Sequence, residues 1–300
     1  MATPRPLERE EYVEQAYFFR VLRERMGANI ATQEILSGVH EEILSSTLLP
    51  YAIQFLAAEL KHTGLLASGF SRLPHYFTPF QAYVISRAEA DKLRFSTDTA
   101  FLILEREAQY RSAQPTPAGL FVYQFEALAR NRLGYDRGLA AMAGDPFYDT
   151  DWRDFLDLVR YQAGTIDFAD MVYLRSTWYV MEERRRNPGY EPPVPPLFGE
   201  KEGKIARASR GRDPLHLFAA LQRQLGYPEV PRFRRPDDLS SQMDVLKLRL
   251  QQLTQRVMLL ESEVKGQVDL TQFGRPDLLK GLPPAFPDDE PPAGRQADGR

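Results

Sequence analysis

The sequence predicts an all-α protein, and three observations carry that expectation. Apolar residues recur at helical spacing nearly throughout the first two thirds of the chain. Helix starts are written as a capping residue followed by proline at Thr78-Pro79, Thr116-Pro117 and Asp213-Pro214. No stretch sustains apolar–polar alternation between hairpin turns, so no sheet is expected. The expected architecture is a multi-helix bundle domain, a Pro-rich linker, a short helix and a C-terminal coiled-coil helix.

The first helix is read over residues 8–26, where Tyr12, Ala16, Phe19, Leu22 and Met26 form one stripe broken by Glu11, Glu14, Arg23 and Glu24. Comparable stripes follow at about 32–46, 50–65, 79–92, 97–111, 117–133, 150–163, 167–186 and 214–225. Glycines 27, 64, 134, 164 and 226 fall where these helices should stop, as left-handed C-caps would. The segments Phe125-EALARNRLGY and Phe218-AALQRQLGY resemble each other and are read as sharing a helix stop, since no repeat period supports more.

Proline sets the expected boundaries. Five of the nine residues from Pro188 to Pro196 are proline, which neither a helix nor a central strand can hold. The domains expected are therefore a helical domain at 7–187, a basic Pro-rich linker at 188–212, a short helix at 213–228, a coiled coil at 237–266 and a disordered tail at 267–300. That tail collects Pro283, Pro284, Pro287, Pro291 and Pro292 around Asp288, Asp289 and Glu290.

The strongest motif is a heptad. Leu239, Met243, Leu246, Leu250, Leu253, Val257, Leu260 and Val264 alternate at spacings of four and three, with a leucine at every d position. This pattern favours a parallel pair, in which Arg256 at g meets Glu261 at the next e. The residues in water would each forgo about 1.5–3 kcal/mol of burial, so the helix is expected to find a partner or to pack on its own domain.

The net charge of −3 conceals a segregation. Residues 1–183 carry 18 Lys/Arg against 25 Asp/Glu, residues 184–235 carry 12 against 5, and residues 236–300 carry 8 against 11. The basic block is expected to fold against the acidic domain, the other reading being a strip for nucleic acid or an acidic partner.

Several chemistries are excluded or weak. The chain has no cysteine, which removes disulfides, thiolate metal sites and cysteine nucleophiles. Gly-rich phosphate loops, a nucleophile elbow and a His-Glu-x-x-His motif are absent. Among four histidines, only Glu59 and His62 have the Glu-x-x-His spacing of bundle metal sites, which require two such pairs and further carboxylates. Asp151, Asp154 and Asp157, then Asp167 and Asp170, recur at helical spacing and are read as acids at helix N-termini.

No cofactor, metal or catalytic residue is therefore expected. The opening residues lack a secretory signal and the uncharged run at 43–58 is too short and polar to span a bilayer, so a cytoplasmic protein with no membrane contact is expected. The functional expectation is a non-enzymatic assembly, scaffold or adaptor protein, a homo-oligomer or partner-binding chain acting through its heptad. The alternatives are a helical enzyme with a carboxylate/His site in the N-terminal domain and binding of nucleic acid or an acidic partner by residues 184–235.

Overall fold

The computed structural model describes residues 6–90 and 95–233, together with Met243, Leu246, Lys247, Leu250, Leu253, Thr254 and Val257. The described residues are helical, with only two isolated bridges, Ala163–Ile166 and Ser176–Phe198, in place of strands. Residues up to Phe233 form one compact unit and those from Arg234 a second.

In the first unit, α1 (Arg9–Gly27) lies along α6 (Thr97–Ser112), while α2 (Thr32–Val39) and α3 (Leu49–Thr63) lead through α4 (Leu66–Arg72) to α5 (Pro79–Ala88). Next comes α7 (Pro117–Asn131), whose residues from Gly119 to Leu128 are all buried. A helix buried on every side sits inside the protein, its buried polar residues Gln124 and Glu126 satisfied by buried partners, and α7 is the centre of this unit. On it pack α6, α8 (Tyr135–Ala143) and α13 (Pro214–Leu225), with α9 (Thr150–Gln162) and α10 (Phe168–Leu174) reaching it through aromatic rings, while α11 (Thr177–Arg186) and α12 (Glu200–Ser209) join through α10 and α13. Phe121 gathers the rings of Phe125, Trp152, Phe155, Phe168 and Phe198 within 6.1 Å of its own.

The proline-led starts form as the sequence implies. Thr78 and Gln81 make a reciprocal capping box, Thr116 Oγ1 accepts from Gly119 N, and the Asp213 carboxylate accepts from Leu215 N. Gly64 and Gly226 are left-handed C-caps. Gly27 is not; Asn29, with φ 61°, takes the left-handed turn after α1.

Three helices were not expected, and each has a glycine inside it. A Cβ on Gly69 of α4 would lie 2.7 Å from Leu56 Cδ2, one on Gly138 of α8 would lie 2.6 Å from both methyls of Leu128, and one on Gly203 of α12 would lie 2.7 Å from Trp178 Cβ. Glycine weakens a helix on its own, but here it lets a backbone approach a neighbour, and the packing outweighs the propensity.

Helix α12 also revises the segment expected as a linker at 188–212. Its proline-rich first half lacks regular structure; Glu200–Ser209 is helical, and Phe198 and Ala206 are buried in the body's core. The core continues through Leu217, Phe218, Leu221, Tyr227 and Val230, beyond the boundary expected at 187. Leu197 and Phe198 donate their N–H groups to the Arg175 carbonyl, and Thr177 N donates to Phe198 O. These bonds divide the expected 167–186 helix, with Ser176 Oγ capping α11 by accepting from Tyr179 N. The expected 32–46 helix likewise ends at Val39, because Glu14 and Glu11 on α1 accept from the N–H groups of Leu44 and Leu48 and hold that turn against α1.

Candidate functional site

Five members of the heptad seam fall among the described residues. Met243, Leu246, Leu250, Leu253 and Val257 are helical and between 51% and 66% exposed. Thr254 Oγ1 donates to Leu250 O one turn back, as a helical threonine does. Leu239, Leu260 and Val264, with Arg256, Glu261 and the expected tail at 267–300, lie outside the described residues.

Four cations of the basic segment pair with the chain's own acids. Arg207 pairs with Glu182, Arg210 with Asp170, Arg186 with Glu183 at 3.0 Å and Lys204 with Glu200 at 2.5 Å. Lys204 and Arg185 also lie over the ring of Trp178, at 4.4 and 5.5 Å, and so cover the aromatic surface a base would stack on. Gly203 makes this possible by bringing α12 onto the start of α11.

Glu59 and His62 do not converge on further ligands. Both lie on α3, but Glu59 accepts from Ser68 Oγ at 2.9 Å and from Arg72 Nη1 at 2.7 Å, and these bonds hold its carboxyl below the usual range. Among the described residues, no three His, Asp or Glu side chains gather as metal ligands would. Of the expected N-terminal acids, Asp151 and Asp170 lie in the first turns of α9 and α10 and Asp167 caps α10 by accepting from Ala169 N, while Asp154 and Asp157 lie further along α9, whose cap is Asp149. Asp167 also accepts from Gly211 N, and Asp170 holds Arg210, so this acidic pair anchors the basic segment.

A buried polar cluster was missed by the sequence reading. Glu107 and Arg111 on α6, Gln124 on α7, and Asp145 and Tyr148 after α8 are all enclosed. Glu107 Oε1 accepts from Arg111 Nη2 at 2.8 Å, Arg111 Nε at 3.2 Å and Gln124 Nε2 at 2.7 Å, while Tyr148 O–H donates to Gln124 Oε1 at 2.8 Å. Arg111 Nη2 also reaches Asp145 Oδ2, and Asp145 Oδ1 accepts from Phe147 N at 3.0 Å. Burial pushes the Glu107 carboxyl up, and it pushes the Tyr123 and Tyr148 hydroxyls well up. Arg111 is held well above its ordinary value by Asp145 and Glu107, against the opposing effect of burial. A Glu–Arg pair four apart on a helix reads from sequence as a solvated surface pair, and only the polar residues of the neighbouring α7 could have hinted otherwise.

A groove of about 520 Å³ lies beside α1 and α6, lined by Val13, Tyr17, Arg20, Glu42, Leu44 and Gln109 among others. In its wall Tyr17 O–H donates to Glu42 at 2.8 Å, and Arg25, outside the lining, reaches the same carboxylate at 2.6 Å. No protein-family model matches the chain, and comparisons with curated proteins and with solved structures likewise return no match.

Proposed function

We propose that this chain is a self-associating helical assembly protein, in which the heptad helix pairs with the same helix of a second copy. The observation that carries the reading is the exposure of Met243, Leu246, Leu250, Leu253 and Val257 along a single a/d seam. A second copy supplies the matching seam, and leucine at each d position favours two parallel strands. In that arrangement Lys247 and Thr254 occupy e positions at the seam's edge, where their polarity is compatible with the rim of a dimer.

The reading is tested by molar mass in solution. The full chain is expected at twice its 34.4 kDa, and a chain truncated after Arg235 at the mass of one copy. Replacing Leu246 and Leu253 by aspartate should give the single-copy mass with the helical body intact by circular dichroism. Equal single-copy masses for the full and truncated chains would rule the proposal out, and a dimer that survives both changes would move the interface to the helical body.

A further inference from the structure

The buried cluster on α6 holds two carboxylates and one guanidinium, and its hydrogen bonds are unevenly shared. Both oxygens of Asp145 have donors, from Arg111 Nη2 and Phe147 N. Glu107 takes all three of its donors on Oε1, while Oε2 is enclosed without a partner. As an anion, Glu107 would put charge on a buried oxygen that no protein donor reaches, a costly state in a low-dielectric interior.

Among the described residues, Arg111 is the only cation paired with the cluster. The groups facing the cluster are Tyr12 on α1, whose ring lies 5.7 Å from the Arg111 guanidinium, Tyr123 on α7, which donates to Ile103 O, and Tyr148, which donates to Gln124. Elsewhere on α6, Arg106 pairs with Glu229 at 3.8 Å. We infer that Glu107 carries a proton in the folded protein at neutral pH, and that its ionisation at higher pH loosens the junction of α6, α7 and the 145–148 turn. The helical body is thereby a pH-responsive element, independent of the heptad.

The sign follows from linkage. A carboxyl that binds its proton more tightly when folded stabilises the fold fully below its unfolded value of about 4.3 and loses that contribution as pH rises through the folded value. Glu107→Gln keeps the shape and removes the titration. Melting points of the full wild-type and E107Q chains between about pH 5 and 8 should diverge, the wild type losing roughly 3–5 °C more per pH unit over the range where only the folded state holds the proton. Parallel curves overturn the proposal.

A second measurement applies whether or not E107Q folds. In the full wild-type chain labelled with carboxyl-13C glutamate, the resonance assigned to Glu107 should remain at the protonated position at pH 7 and move only at higher pH. Finding Glu107 ionised at pH 7 overturns the inference.

Discussion

Replacing Phe198 by alanine tests whether the segment after the proline-rich stretch is a working part of the core. Phe198 is 1% exposed, and its ring centre lies 5.4 Å from Trp152, 5.7 Å from Phe155 and 6.1 Å from Phe121. Its backbone is held on the Arg175 carbonyl and by Thr177, so the chain cannot slide to fill the space left behind. Truncation of a buried phenylalanine costs about 3–5 kcal/mol, combining lost transfer energy with the cavity. For a body of this size, each kcal/mol lowers the melting point by about 2–4 °C, which gives a fall of roughly 6–20 °C. Thermal unfolding followed by far-UV circular dichroism reads it, with Val194→Ala as a control because Val194 is 46% exposed and should change stability by less than about 0.5 kcal/mol. If F198A unfolds within about 2 °C of the wild type, contrary to the cavity cost, residues 198–233 do not belong to the core and the boundary at Phe233 is misplaced.

Two further outcomes are expected. Gly203→Val should destabilise the body by about 1–3 kcal/mol in urea unfolding, because its Cβ would meet Ser176 and the Trp178 Cβ; an unchanged midpoint would show that α12 does not seat on α11. Glu42 is held below the ordinary carboxylate range by hydrogen bonds from Arg25 and then Tyr17, so its contribution is present at neutral pH and lost as pH falls through its folded value. Screening limits this to roughly 0.2–1 kcal/mol, and the stability difference between wild type and Glu42→Gln should shrink on acidification to pH 3; a difference constant with pH would refute the assignment.

The helical class and the proline-led helix starts were legible because they depend on local chemistry. A cap oxygen and the proline after it act within one turn, and Thr78, Thr116 and Asp213 perform as their neighbours imply. Glycines were harder to read, because the same residue ends α3 at Gly64 yet lies within α12 at Gly203, where the deciding partner is Trp178, 25 positions earlier. The heptad was legible as spacing, whereas the buried Glu107–Arg111–Asp145 cluster was not. Its members are ordinary surface types, and only the enclosure of α6 by α1, α7 and the turn after α8 takes them out of water.

The two similar segments acquire a meaning the sequence did not suggest. Phe125 and Phe218, each near the start of its Leu-Gly-Tyr segment and 93 residues apart, lie 6.2 Å from one another and both pack against Phe168. Tyr227, closing the second segment, donates to Glu126 in the first at 2.7 Å. On a ribosome adding about 5–20 residues per second, the face of α7 waits roughly 5–20 s for α13 to emerge. During that interval Phe125 and Phe168 lack the cover that Phe218 gives them in the finished body, so the nascent chain holds apolar surface open until its last core helix is made.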